Sequence, residues 1–153
     1  MSGGTPPGPS LRSGPPSPEG EGCIAEARGW IGTPFVHRAS VKGAGADCLG
    51  LVRGVWRAVR GAEPERAPVY APLWAEESGA ELLLEALGRH LRRVDEALPG
   101  DVLAFRVRTN GAVKHAGVMT GADGFVHAHE RLGVVETPFS EWWRRRLAAA
   151  FRF

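Results

Sequence analysis

Cysteine is scarce in this chain: Cys23 and Cys48 are the two thiols among 153 residues. That excludes the disulfide framework of a small stapled scaffold, and no CxxC or Cys/His spacing offers a structural zinc site. A single bridge between the two thiols stays open at this level. Long apolar runs are missing too. Nowhere do about 18 apolar residues follow one another, so no membrane span is expected. The N-terminus has no charged segment leading into an apolar one, as a secretory signal would. Charge of one sign is not in excess: 19 Lys and Arg against 17 Asp and Glu leave +2. No nucleic-acid partner is expected from so weak a balance, although mild positive charge suits an anionic polymer.

What is present is a globular composition, 43% hydrophobic and 24% charged, in a length that bounds one domain with one core. Residues 1–22 are the exception. Gly, Pro and Ser dominate there and Leu11 is the one core-forming side chain, so a disordered arm is expected, with the folded domain running over 23–153.

From Cys23 the pattern becomes helical. Ile24, Ala27 and Trp30–Ile31 fall on one face before the stop at Gly32-Thr33-Pro34. A glycine-containing loop over 36–46 leads to a second helix, from about Cys48 to Arg60. Its stripe is Cys48, Leu51, Val52, Val55, Trp56 and Val59. A Pro-rich connector over 61–77 precedes "GAELLLEALGRHLRRV", read as a third helix with Leu82, Leu83, Ala86, Leu87 and Leu91 inward. At Pro99-Gly100-Asp101 the period switches. "DVLAFRV", "AGVMTG", "GFVHAHE", "GVVETPF" and "AAAFRF" are short strands, separated at Asn110-Gly111, Ala122-Asp123-Gly124 and Leu132-Gly133. Helices first and an antiparallel meander after them make an α+β fold.

Cys48 opens the second helix behind Asp47, a good N-cap, and behind the small residues of "GAGADCLG". A helix N-terminus favours thiolate, which suits a nucleophile. A small hydrophobe opening an apolar stripe explains the same cysteine equally well. The histidines separate these readings. His115 starts one strand and His127 lies in the next, and the turn at Gly121–Gly124 brings them side by side on one face. A thiol needs a base in reach, and a base needs a group to orient it. His129 shares the face of His127. Three imidazoles could suggest zinc, but that leaves Cys48 and its helix unexplained, so His129 is read as a rim residue near substrate. "SEWWRRRLAAAFRF" is read as one aromatic packed under the sheet edge with its arginines in water, in preference to a nucleic-acid or membrane patch.

Taken together, "GTPF…DCLGLVRGVWR", "PGDVLAF" and "KHAGVMTG…FVHA" resemble the NlpC-type cell-wall peptidases, papain-like cysteine hydrolases. In detail they are most similar to the branch found in tailed phages and gene transfer agents. The likeness covers about Cys23 to Phe153. It implies a papain-like fold with N-terminal helices on an antiparallel sheet. It also implies Cys48 as nucleophile, His115 as base and His127 as third polar residue, with the Cys48 N–H donating to the oxyanion. The implied substrate is the stem peptide of peptidoglycan, cut between D-glutamate and the neighbouring diamino acid, without metal or cofactor. The implied partners are tail hub or baseplate proteins, with assembly in the cytoplasm and action in the wall of a target cell. Asp47, Phe35, His37 and His129 are the expected oxyanion and substrate neighbours. Phe35 departs from the family's usual tyrosine after Gly-Thr-Pro, and His37 is expected to supply the lost donor. Two other readings are a structural tail component without activity and a thiol amidase with a substrate outside the wall.

Overall fold

The computed structural model of the protein describes residues 8–63, 81–108 and 111–153. In chain order the elements are β1 (Ser10–Leu11), α1 (Pro18–Gly29), β2 (Ser40–Val41), β3 (Gly45–Ala46), α2 (Cys48–Arg60), α3 (Leu82–His90), β4 (Arg92–Val94), β5 (Glu96–Ala97), β6 (Val102–Arg106), β7 (Val113–Gly121), β8 (Gly124–His129), β9 (Gly133–Pro138), α4 (Glu141–Arg146) and β10 (Leu147–Arg152). Most of the Pro-rich connector, the start of the third-helix segment, Met1–Pro7 and Asn110 lie outside the described residues.

Local chemistry sets the helix starts. Ser17 caps α1, its side chain accepting from the Gly20 N–H at 3.1 Å, and Pro18 follows at the position where a missing N–H costs nothing. The disordered-arm expectation therefore does not hold for the described part of 1–22. Ser10 and Leu11 pair in parallel with Glu96 and Ala97, and α1 begins at Pro18, so Cys23 is mid-helix. Composition alone missed a cap followed by proline and a strand partner some 85 residues away, about the range only tertiary pairing can supply. Asp47 caps α2, which runs over the residues expected.

Two other sequence readings are corrected. Ile31 is 46% exposed, because α1 ends at Gly29 with Trp30 as its C-cap, and the chain leaves the helical face before Gly32. The third helix stops at His90: Leu91 is extended, and Arg92–Val94 pair with Arg152–Ala150 instead. A sheet partner outweighs the continued helical period there. Leu83, Leu87 and Leu91 are buried as read, whereas Leu82 and Ala86 are half-buried.

Among the described residues the main sheet has six strands in the order β4-β10-β6-β7-β8-β9, with every neighbouring pair antiparallel. One face packs on the helices: Val102, Ala104, Ala116, Val118, Val126 and Val134 meet the apolar sides of α1, α2 and α3. The opposite face carries Leu103, Phe105, Met119, Phe125 and Ala150, covered by Phe139, Leu147 and Trp143. Arg152 grips the buried Asp101 carboxylate with Nε at 2.9 Å and a second nitrogen at 2.8 Å, tying β10 to the turn before β6. Two-layer α+β architecture is thus set by sheet alternation, one side for helices and one for aromatics.

Candidate active site

The mouth of α2 is fixed by Asp47. One carboxylate oxygen accepts from the Gly50 N–H at 2.8 Å, and the other accepts from the Arg38 N–H at 2.7 Å. Arg38 holds a left-handed φ of 64°, a cost for a residue with a Cβ, and the Asp47 bond pins it. Gly50 completes the arrangement. A Cβ there would lie 1.8 Å from the Ala39 carbonyl oxygen, so the loop backbone can lie on the helix only over glycine. The spacing of "DCLG" is therefore a packing requirement around the cysteine. Asp47, 4% exposed, serves the cap and the loop and also lines the groove beside Cys48.

Cys48 Sγ lies alongside the β7 backbone. Its thiol points at the Lys114 carbonyl oxygen at a long 4.0 Å, and the Ala116 N–H donates to the sulfur. Lys114 and Ala116 flank His115, so sulfur and imidazole belong to the same stretch of groove. The groove, about 500 Å³, is lined by Phe35, His37, Cys48, His115, His127 and Trp143 among others.

The imidazoles come from the aromatic face of the sheet. His115 pairs with Phe105 across β6, and Gly117 pairs with His127 across β8. Gly117 is needed there: a Cβ would lie 3.0 Å from the His127 Cβ and closer still to Val126 and Phe125. His115 Nε2 and His127 Nδ1 are 2.8 Å apart, the side-by-side placement expected from the hairpin. His127 Nε2 then meets Thr137 Oγ1 at 2.8 Å. Around this chain stand aromatic rings. Phe125 stacks on His127 at 4.5 Å, and Trp143 lies 5.6 Å from His115 and 5.1 Å from His127.

Partial burial acts on both partners. Burial pushes the Cys48 thiol up to about 12, and the Asp47 charge adds to it. Backbone N–H groups of Ala116, Leu49 and Cys48 pull the other way and lose. Burial also lowers His115 to about 3, aided by His127 and His129, and lowers His127 to about 4. The helix N-terminus by itself favours thiolate, as expected from the sequence, but here burial outweighs the backbone donors, and the shifts of both groups run towards their neutral forms.

The remaining expected neighbours are spread around the rim. Phe35 packs on the helical core while lining the groove. His37 lines it too, with Nδ1 3.8 Å from an Asp47 oxygen. His129 reaches the groove, but its Nδ1 accepts from the Arg131 and Leu132 N–H groups at 3.0 and 3.2 Å. Those bonds hold the β8–β9 turn, and the His129 ring lies edge-on to His127 with centroids 6.2 Å apart. Among the described residues no group of three His, Cys, Asp or Glu side chains is arranged to hold a metal ion, and no helix is long and apolar enough to cross a membrane. Cys23 in α1 is buried, Cys48 is half-buried, and both thiols are free, so the two form no bridge.

Sequence reasoning missed Thr137 and the role of Trp143. Thr137 was legible in principle, since counting back from the β8–β9 turn puts it opposite Phe125 on the face of His127. Trp143 was expected only as packing. No periodicity marks the six-residue helix that carries it.

Comparison with known proteins bears on the family and the fold. The chain is 30% identical over 131 residues to the γ-DL-glutamyl hydrolase of Bacillus subtilis, covering 85% of this chain and 28% of that one. Its structure is similar to NlpC2 of Trichomonas vaginalis, with a TM-score of 0.67 at 20% identity, over 92% of this chain and 49% of that one. It is also similar to the NlpC/p60 domain of the peptidoglycan hydrolase SagA, with a TM-score of 0.59 at 24% identity, over 88% and 98% of the two chains. The chain thus spans less than half the length of the first two. These likenesses share the papain-like layout of helices on an antiparallel sheet, and with residues 32–152 matching its family pattern the chain belongs to the NlpC/P60 family.

Proposed function

We propose that the chain hydrolyses stem peptides of peptidoglycan at the bond between D-glutamate and the neighbouring diamino acid. The observation that carries the reading is the shared groove: the Cys48 thiol lies against the backbone on both sides of His115, whose Nε2 is already engaged by His127. One ring nitrogen of His115, Nδ1, is left to act as base. As the sulfur attacks the peptide carbonyl, Nδ1 takes the thiol proton, and the carbonyl electron pair moves to oxygen, where the Cys48 N–H receives it. The carbon–nitrogen bond then breaks and His115 returns the proton to the leaving amine. Water next attacks the thioester, giving its proton to His115, and the sulfur leaves with that proton. A thiol of raised pKa makes the first transfer concerted with attack, because free thiolate is scarce in the resting groove.

The choice of bond is supported by the γ-DL-glutamyl hydrolase relative, whose name describes a glutamyl linkage. Delivery by a phage-like tail or gene transfer agent particle, with tail hub or baseplate proteins as partners, is supported by the likeness of "GTPF…DCLGLVRGVWR" to that branch. His37, at the rim beside Phe35, is the donor assigned in place of tyrosine.

Purified protein and its Cys48→Ala variant, incubated with sacculi, test the reading. Release of stem peptides by the first alone, with masses matching a cut after D-glutamate, is the expected result; no release by either defeats it. A second reading, a tail component without activity, is favoured by Phe35 alone, and the same incubation decides between them.

A further inference from the structure

The reaction as outlined leaves the far end of the imidazole chain unused, where His127 Nε2 meets Thr137. We propose that Thr137 is a positioning residue: its hydroxyl oxygen holds the proton on His127 Nε2 and thereby leaves His115 Nδ1 as the bare, basic nitrogen. The inference rests on the reading of Cys48 and His115 given above.

The three residues step diagonally across adjacent strands. Gly117 of β7 faces His127 of β8, so His115 is displaced by two residues from His127. Phe125 faces Thr137 of β9, so Thr137 is displaced from His127 by two again. Side chains so placed share one face and meet on the diagonal. Both contacts are 2.8 Å.

A neutral imidazole carries one N–H, so the chain has two proton arrangements. In one, His127 Nδ1 donates to His115 Nε2. His115 must then carry its own proton on Nδ1, and no base faces the groove. In the other, His115 Nε2 donates to His127 Nδ1, and His127 carries its proton on Nε2. That proton needs an acceptor, for His127 is 1% exposed and its ring faces are covered by Phe125 and Trp143. Thr137 Oγ1, at 2.8 Å, is that acceptor; in the first arrangement the same hydroxyl would donate to a bare Nε2, a nitrogen that tolerates lacking a partner better than a buried N–H does. With it in place the second arrangement leaves His115 Nδ1 bare for the Cys48 proton.

Thr137→Val keeps the shape and β-branching while removing the acceptor; Thr137→Ser restores it. The full chain, labelled with 15N-histidine, is read by long-range 1H–15N correlation, and turnover is measured on defined muropeptides. In the wild type and the serine variant His115 should show a protonated Nε2 and a bare Nδ1. In the valine variant His127 should shift its proton in part to Nδ1, and kcat should fall about tenfold with KM held, while serine stays within about twofold of wild type. Unchanged tautomers in the valine variant, or a serine variant that falls as far at an unaltered melting temperature, overturns the inference. Should the wild type cleave no muropeptide while valine still moves the tautomer, the positioning role stands and the proposed reaction falls.

Discussion

Cys48 and His115 reach one groove from unlike surroundings. The helix mouth is knitted by polar backbone contacts, with Asp47 accepting from Gly50 and Arg38 and with N–H groups around the sulfur. The histidine side is a cage of rings, Phe105, Phe125 and Trp143. Polar or aromatic, both surroundings desolvate a half-buried titrating group and shift it towards its neutral form. The thiol goes up to about 12 and the imidazole down to about 3. Helix dipole and hydrogen bonds to sulfur are each worth about 1–2 kcal/mol here, too little against the several that burying a charge costs. The lesson is that unlike neighbours, backbone N–H groups on one side and rings on the other, can leave desolvation the largest influence on both a nucleophile and its base.

The sharpest break in that comparison is at the imidazole. His115→Gln removes the base while leaving a polar ring-sized group, and turnover on muropeptides should fall about a thousandfold, followed by product mass. Next comes the cage. Trp143→Ala should let water reach both imidazoles and raise their pKa towards 6.5. The acid limb of kcat/KM moves up with them, which histidine titration by NMR checks directly. That variant should also lose about 2–3 kcal/mol of stability, since Trp143 is half-buried, short of the 3–5 typical of a fully buried tryptophan.

Stability against pH gives each half its own window. An unfolded histidine binds its proton near 6.5, whereas folded His115 binds it only near 3 and His127 near 4. Between those values the unfolded chain holds more protons, so stability rises with pH and is lost as acid is added. Cys48 is the mirror image. Its stabilising contribution is complete below the ordinary thiol value of 9 and is lost as pH climbs towards about 12. Urea midpoints over these ranges, with His115→Gln flattening the acid slope and Cys48→Ala the alkaline one, separate the two. The smallest effect is at Asp47, whose charge is the second cause of the raised thiol. Asp47→Asn keeps one acceptor for the cap, and alkylation of Cys48 at pH 8, slower than for an ordinary thiol in the wild type, should quicken a few-fold.

Much of this site could be located from the sequence, because its signals are local. A cap, a cysteine and a stripe at helical spacing fix α2 from Cys48 to Arg60, and the turn at Gly121–Gly124 sets His115 and His127 on one face. Where partners are distant, the sequence misled. Arg92–Val94 continue a helical pattern, yet they are claimed by β10. Ser10 and Leu11 look like arm residues, yet they pair with β5. Trp143 sits in a helix too short to show a period, and only folding brings it over the imidazoles.

By itself, then, the order of residues determined which atoms meet across one turn or one hairpin: the capped thiol and the paired imidazoles. Their protonation was decided by tertiary structure alone. Desolvation depends on everything packed around a group, and the rings that dry this groove come from β6, β8 and α4, segments no local pattern connects.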